Sequence, residues 1–348
     1  MKQLIKCLSF AIAVVLCVLV YSCERRPLYD LESVRYVRVY LDEEIKNVTT
    51  EPDSIAKPDS IIIPDKEYFR PTVLKMIIAD MPDGDVITRT ILRDPGTDSS
   101  GNYLDGYISV PEGDYNILIY DIGSYDNNVV DEENFNEIKI YTNHISDRQF
   151  GYIPTLKKRM DMKKIVVAPD HFFRYVGRNL HIPSSRNVDT LKDDSGRNFI
   201  AQTIITTYKL KFKITGAEWV KSGAVVLGGM TGSAFLGRDD LNVERDSVGL
   251  FFDLKYDQKE DVVYTTFNSF EKLEDIKTKL EMFIEFIKTD GSSQVEVIDL
   301  TNIIKSEEFK KNQQIVIDEK IVIIPAQNPG GMTPSVGGWR DIETDLPM

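Results

Sequence analysis

The segment from Tyr208 to Ile214 is the feature that most constrains the fold of this chain. Within it, four apolar or aromatic residues alternate with three lysines, Lys209, Lys211 and Lys213. Successive side chains of a β-strand point to opposite faces, so a period of two predicts one buried face and one wet face. This pattern is typical of an antiparallel sheet that has solvent on one side.

The same alternation recurs along the chain, and it predicts strands around residues 37–41, 115–119, 280–286 and 295–297. Asp83-Gly84 and Asp290-Gly291 each separate two such runs and predict hairpins, because these dipeptides accept positive backbone φ angles. Only two short helices are predicted, over 156–165 and 303–311. Many short strands, regular turns and no βαβ unit indicate all-β sandwiches.

The length of 348 residues predicts more than one domain, because single domains usually hold roughly 100–150 residues. The polar stretch 184–198 predicts the linker. We expect a signal peptide over 1–22, an N-terminal β-sandwich domain over 23–195, a C-terminal β-sandwich domain over 196–325, and a tail over 326–348. The tail keeps Trp339 among Gly and Pro, so it either packs on the second domain or adds a strand to a neighbouring subunit.

The N-terminus predicts secretion and lipid attachment. Lys2 and Lys6 precede an apolar run from Leu8 to Val20, and Ser22 then stands directly before Cys23. A basic start, an apolar run and a small residue form a secretory signal, and this run is shorter than the roughly 20 residues of a membrane-spanning helix. A Cys after the small residue resembles the bacterial lipobox, in which the thiol is acylated. Cys23 is therefore the predicted lipidation site, and an ordinary signal with a chance Cys is the alternative.

Charge and cysteine content exclude several functions. Without Lys2 and Lys6, the mature chain has 40 basic and 55 acidic residues, a formal charge of −15. Such a surface argues against nucleic acid and against anionic lipid as charge-driven partners. Cys7 and Cys17 leave with the signal peptide, and lipid occupies Cys23. We therefore expect neither an internal disulfide nor a Cys-based zinc site.

The sequence gives no positive sign of catalysis, and we expect a non-enzyme without cofactor or metal. His144, His171 and His181 lack metal-ligand spacing, and we interpret them as surface or turn residues. Gly228–Ser233 matches neither a nucleophile elbow nor a phosphate loop, so a tight strand connection is expected. The acidic runs 42–44 and 131–133 lack the spacing of a calcium loop and are interpreted as solvated loops.

Several segments together resemble the fimbrillin-like lipoproteins of Bacteroidales, including fimbrial anchor and accessory subunits. Their order across the mature chain carries the resemblance more than any one of them. The segments are Cys23–Leu28, Gly113-Asp114-Tyr115, Leu227–Ala234, Val297–Ile303 and the Gly-Gly-Trp ending at 337–342.

The resemblance implies two tandem transthyretin-like β-sandwich domains and a structural role in fimbriae, assembled by a strand that one subunit donates to its neighbour. It implies other fimbrial subunits as partners and the outer membrane as the place of lipid attachment, with the cell surface and the periplasmic face both open. Cleavage after an arginine occurs in that family, and the candidates here are Arg25, Arg26, Arg35 and Arg38. The alternative function is a glycan- or protein-binding outer-membrane lipoprotein of an uptake system.

Cys23→Ala is expected to move the protein from the membrane pellet to the soluble fraction, because no acyl chain would then hold it. Fractionation and labelling with a palmitate analogue measure this. The lipobox interpretation is wrong if the variant still pellets and still takes up the label.

Overall fold

A computed structural model of the chain describes residues 33–42, 70–98, 101–122, 126–159, 164–185, 187–238, 247–258, 260–277 and 279–325. The predicted signal peptide, Cys23 and the tail from residue 326 lie outside these ranges. Strand makes up 58% and helix 9% of the structure, which confirms the all-β prediction. No helix within these ranges has the length and apolar character needed to cross a bilayer.

Ten strands and two short helices precede residue 195 in the described part of the chain. The strands are β1 Val34–Leu41, β2 Val73–Ala79, β3 Val86–Asp98, β4 Gly101–Ser109, β5 Gly113–Asp121, β6 Asn127–Val130, β7 Lys139–Thr142, β8 Ile165–Val167, β9 Phe173–Ile182 and β10 Asp189–Thr190. The helices are α1 Asp147–Phe150 and α2 Leu156–Arg159.

Ten further strands, one α-helix and two 3-10 helices, Ala217–Trp219 and Leu273–Asp275, follow in the described ranges beyond residue 195. The strands are β11 Phe199–Thr203, β12 Thr206–Thr215, β13 Val220–Thr231, β14 Ser233–Phe235, β15 Ser247–Asp253, β16 Lys255–Asp257, β17 Val262–Ser269, β18 Glu281–Lys288, β19 Ser293–Asp299 and β20 Gln314–Val322. The helix is α3 Glu307–Asn312.

The N-terminal strands form a sheet that closes on itself. The hydrogen-bonded order is β10-β1-β11-β9-β5-β2-β3-β4, and β4 pairs again with β1. Seven of these strands form the closed ring, and the two-residue β10 adds to β1 as an eighth. β1 runs antiparallel to β4, with Tyr36 opposite Tyr107, and parallel to β11, with Val39 opposite Phe199. Every second residue of β1 is buried. The period of two therefore turns Val37, Val39 and Leu41 into the core that the ring encloses.

The C-terminal strands form a sandwich of two sheets. One sheet has the order β19-β18-β13-β15-β8 and the other β16-β17-β12-β20. The apolar face of β12 lies between them, as its alternation predicts, while Lys213 is exposed. Aromatic rings fill the centre: Phe252 stacks on Phe267 with centroids 4.3 Å apart, and Tyr208 stacks on Phe309 at 5.7 Å.

Both predicted hairpins are present. Gly84 joins β2 to β3 with φ +79, and Gly291 joins β18 to β19 with φ +83. The two predicted helices are shorter than expected. The first is described over Leu156–Arg159, and Ile165, its predicted end, instead begins β8 and pairs with Gly249. The second begins only at Glu307, where Ser306 provides the N-cap by accepting a hydrogen bond from the Phe309 N–H.

Four strand pairings among the described residues cross the predicted boundary between residues 195 and 196, and two of them place β11 between β1 and β9 in the closed sheet. β8 adds to β15 in the C-terminal five-stranded sheet, and β14 pairs with β7 in a three-stranded sheet of order β14-β7-β6. Apolar clusters on each side of this exchange contain residues from both halves of the chain. The halves are thus joined by shared sheets and shared cores, and the division into two domains stays a prediction.

Arginine side chains of β9 hold the chain that follows β14. The Arg174 guanidinium donates to the carbonyl oxygens of Leu236 and Arg238, each at 2.9 Å. Arg178 lies 4.8 Å from the ring centroid of Phe135 and donates to the Gly237 carbonyl. A Cβ on Gly237 would lie 1.7 Å from the Phe135 carbonyl oxygen, so only glycine permits this close approach.

A buried carboxylate also joins the two halves. Glu285 of β18 is fully buried and accepts hydrogen bonds from the backbone N–H groups of Thr155 and Leu156, at 2.8 and 2.9 Å. These N–H groups lie at the start of α2, where a helix has donors without partners of its own. Glu285 thereby fixes the segment around α2 to the outer face of the five-stranded sheet.

Glu285→Ala is expected to lower the free energy of unfolding by about 3 kcal/mol, because two buried donors lose a charged acceptor and a cavity forms. Urea unfolding measures this change. Glu281→Ala is the matched control on the same strand, since Glu281 forms an exposed ion pair with Lys279 at 2.7 Å and such pairs contribute little. Equal losses in the two variants would contradict the role given to Glu285.

Candidate functional site

An open strand edge is the part of a β-protein that can accept a strand from a partner, because its N–H and C=O groups have no neighbour. The seven strands of the closed N-terminal sheet offer no such edge over the described residues, since β1 has partners on both sides. Strand addition to the folded chain would therefore need an open edge in one of the other sheets.

Most of the remaining described edges are short. β8 and β16 have three residues each, and the three-stranded sheet ends in β14 and β6, with three and four residues. β20 has nine residues, but its register with β12 shifts between Ile317 and Ile321. The residues at this irregularity, Asp318, Glu319 and Lys320, are exposed and charged, and such a charged bulge blocks strand pairing.

β19 is the long, regular open edge among the described strands. It pairs with β18 without a register shift, from Ser293 opposite Ile287 to Asp299 opposite Glu281. Its other side carries no described strand. Val297 is 53% exposed, although valine in a strand is normally half-buried or better. An edge with these properties is a template for one more strand.

A groove of about 790 Å³ lies between β19 and β20, where the two sheets of the sandwich separate. Ile298, Ile303 and Ile317 line it, and the exposed side chains of Val322 and Ile324 stand at its margin. An extended chain beside β19 could place alternate apolar side chains in this groove.

The Gln294 side chain closes one end of the groove. Its amide donates to the Val322 carbonyl at 2.8 Å and accepts from the Ile324 N–H at 3.0 Å. The side chain thus pairs with the backbone of the opposite sheet as a short strand would. Lys288 adds a hydrogen bond to the Ile324 carbonyl at 3.0 Å. The groove is therefore preformed at this end.

The groove is negatively charged. Its lining includes four carboxylates and one lysine, namely Glu296, Asp299, Asp318, Glu319 and Lys320. The Thr301 side chain and its backbone N–H, which donates to Asp299 at 2.9 Å, lower the pKa of Asp299. Nearby Lys279 lowers it further, so this carboxylate stays ionised at neutral pH. The groove consequently fits an extended segment that combines apolar with basic side chains.

The other residues considered from the sequence are not brought together into a site. The His181 Nδ1 atom lies 2.8 Å from the Asp114 Oδ1 atom on the surface. The backbone of His144 forms an isolated antiparallel β-bridge with that of Val166. No group of three or more His, Cys, Asp or Glu residues arranged to hold a metal occurs in the part of the chain that the structure describes. Gly232 connects β13 to β14 within the Gly-rich segment, as expected.

The acidic run 131–133 is held by ion pairs and a hydrogen bond, whereas the sequence predicted a solvated loop. Glu132 pairs with Lys75 and accepts a hydrogen bond from Tyr120, and Glu133 pairs with Arg89 at 3.2 Å. Burial opposes ionisation of Glu132, but the bonds from Lys75 and Tyr120 outweigh it and lower its pKa. This run therefore serves an ion-pair network.

Two of the four arginines considered for cleavage lie in the described chain, and both lie in β1. Arg35 is 2% exposed and donates to the Pro183 carbonyl at 2.9 Å. Arg38 lies on the outer face of the same strand. Arg25, Arg26 and Cys23 lie outside the described residues, and so does the tail from residue 326. The edge of β19 was missed from the sequence, although its Val-x-Val pattern predicted the strand.

Comparisons with known proteins match this architecture. A family model described as "Domain of unknown function (DUF5119)" matches residues 94–253. The chain is 22% identical over 275 residues to a Bacteroides ovatus protein named "Putative fimbrium anchoring subunit Fim4B", covering 70% of this chain and 78% of that protein. This similarity confirms the predicted resemblance to Bacteroidales fimbrial anchor and accessory proteins.

A solved structure, described as a "putative adhesin" from the same species, has a similar fold. The TM-score is 0.58 at 18% identity, and the alignment covers 88% of this chain and 98% of that one. At this identity the likeness shows the fold alone.

Proposed function

We propose that this chain is a lipid-anchored protein of the cell envelope that serves as an anchoring or accessory subunit of fimbriae. The observation that carries this proposal is the sequence similarity, over 70% of the chain, to a protein named as a fimbrium anchoring subunit. The role is structural, and it requires no catalytic residue, cofactor or metal.

A lipid on Cys23 would supply the attachment to the outer membrane. The described chain begins at Ser33, directly before β1. Some ten residues therefore separate the acylated Cys from the first strand, about 30 Å when extended. This length lets the folded part stand clear of the lipid headgroups.

Strand addition at β19 would supply the contact to the next subunit. Three observations support this: β19 has a regular open edge, Val297 is exposed on it, and an apolar groove lies beside it. Main-chain hydrogen bonds along the edge would give affinity, and side chains in the groove would give specificity. The closed N-terminal sheet would have to release a strand before it could accept one.

Electron microscopy with antibody labelling tests the function directly. Cells that carry the gene are expected to show label on filaments or at their bases, and cells without it to lose filaments or shed them into the medium. Normal filaments without the gene, with label spread over the envelope apart from them, would contradict a fimbrial role.

Val297→Lys is expected to weaken capture of fimbrial subunits about tenfold or more, because a charged side chain on an open edge hinders strand pairing. Co-purification from cells measures the capture, and a thermal scan confirms that the variant is folded. Ile200→Lys on β11 is the matched control: it is a 43% exposed aliphatic residue on a strand that has partners on both sides. Equal capture by both variants and the unchanged chain would exclude the β19 edge, while leaving the fimbrial role open to the microscopy.

A further inference from the structure

The outer face of the closed N-terminal sheet carries a cluster of aromatic residues that the fimbrial role does not use. They lie on β1 and β4, the two strands whose pairing closes the ring, and we call them the tyrosine face. It consists of Tyr36, Tyr40, Tyr103 and Tyr107 around a central Arg38 and Asp105.

The register of the two strands places the tyrosines in two cross-strand pairs. Tyr36 lies opposite Tyr107 with ring centroids 5.4 Å apart, and Tyr40 lies opposite Tyr103 at 5.8 Å. Four residues along a strand separate the pairs, which is about 13 Å. The result is an elongated aromatic surface with two ends and a polar centre.

Arg38 continues this surface between the rings. Its guanidinium lies 4.1 Å from the ring centroid of Tyr103 and 5.7 Å from that of Tyr36, and it donates to the Tyr36 hydroxyl at 3.2 Å. The Tyr36 hydroxyl in turn donates to Asp105. Burial, and next the bond to Asp105, raise the pKa of Tyr36, which keeps this hydroxyl protonated.

A row of charged residues crosses the centre of the tyrosine face. Asp105 of β4 lies opposite Arg38 on one side and opposite Arg93 of β3 on the other. The row therefore has two guanidinium groups and one carboxylate, in a chain whose formal net charge is −13. This local excess of positive charge stands out against an acidic surface.

Cross-strand aromatic pairs also stabilise sheets, and Tyr36, Tyr40 and Tyr103 are half-buried in keeping with that role. Tyr107 is different, because it is 62% exposed and its ring contributes little buried area. Ile91, on the neighbouring strand, is another exposed apolar residue at this end, 40% accessible. Tyr107 and Ile91 together give this end of the tyrosine face an accessible apolar area.

The chemistry of the face decides between two kinds of partner. A protein interface centred here would remove Arg38, Asp105 and Arg93 from water, and this desolvation is costly unless each charge finds a partner. A sugar chain offers flat C–H faces to the tyrosine rings and hydroxyl groups that can donate to Asp105 and accept from the arginines. A sugar carboxylate would also match the excess positive charge through paired hydrogen bonds with a guanidinium.

We propose that the tyrosine face binds an extended glycan that bears carboxylate groups, with the rings stacking on sugar faces and the arginines pairing with the acid. The shape supports an extended ligand, because the two aromatic pairs are spaced along two neighbouring strands. This site is separate from the β19 edge and does not depend on the proposed fimbrial role. It would let the protein hold an acidic polysaccharide whatever it is assembled with.

Calorimetry with the full chain in detergent tests the proposal, using oligogalacturonate as the acidic probe and a maltooligosaccharide of equal length as the neutral one. The unchanged protein is expected to bind the acidic probe more tightly, with a margin that shrinks as salt is added. Tyr107→Ala is expected to weaken binding of the acidic probe about tenfold. Tyr141→Ala, which replaces a 37% exposed tyrosine of β7, is the matched control and should bind normally.

Arg93→Gln tests the contribution of charge to binding separately from the contribution of ring stacking. This variant is expected to abolish the preference for the acidic probe while leaving the affinity for the neutral probe unchanged. It also provides the test of the site if a thermal scan shows that Tyr107→Ala does not fold. The proposal is overturned if neither probe binds, if both bind equally, or if folded Tyr107→Ala binds as the unchanged protein does. It is also overturned if sedimentation shows that the face instead joins two copies of the chain, so that Tyr107→Ala abolishes a dimer.

Discussion

The pairing of β1 with both β4 and β11 is the constraint on which the rest of the structure depends. Backbone N–H and C=O groups in a core must find partners, and closing a sheet into a ring satisfies them all at once. Because β1 supplies both contacts, the ring of seven strands has no open edge over its described residues. The possible surfaces for a partner are thereby reduced to strand edges outside the ring and to outer sheet faces.

Closure also explains why those two surfaces differ in chemistry. At the β19 edge the available groups are backbone donors and acceptors next to an apolar, acidic groove, and this suits a peptide strand. On the outer face, β1 and β4 pair with each other from Val34 to Tyr40, and this face offers side chains to a ligand. The tyrosine face can therefore recognise a ligand through rings and charges, but it cannot add a strand.

The two halves of the chain are mechanically continuous. β8 and β14 each pair with a strand from the other half of the chain. Hydrogen bonds from Arg174 to the backbone beyond β14, and to buried Glu285 from the start of α2, add further contacts. A protein tethered near its N-terminus and joined to a partner at β19 would carry load through both halves. Shared sheets transmit such load through many backbone hydrogen bonds at once, whereas a simple linker would leave each half to move separately.

The strand content, the inward-facing residues and the hairpins could be predicted from the amino-acid sequence. The alternation in Tyr208–Ile214 and the Gly residues at 84 and 291 reflect local backbone geometry, which depends on near neighbours alone. The resemblance to fimbrial proteins could also be recognised, because it rests on short segments in order. The pairing of β1 with β11, the addition of β8 to the C-terminal sheet and the open edge of β19 became known only from the folded structure. A period of two shows which face of a strand is buried but not which strand lies beside it, since that choice depends on hydrogen bonds between residues far apart in the chain.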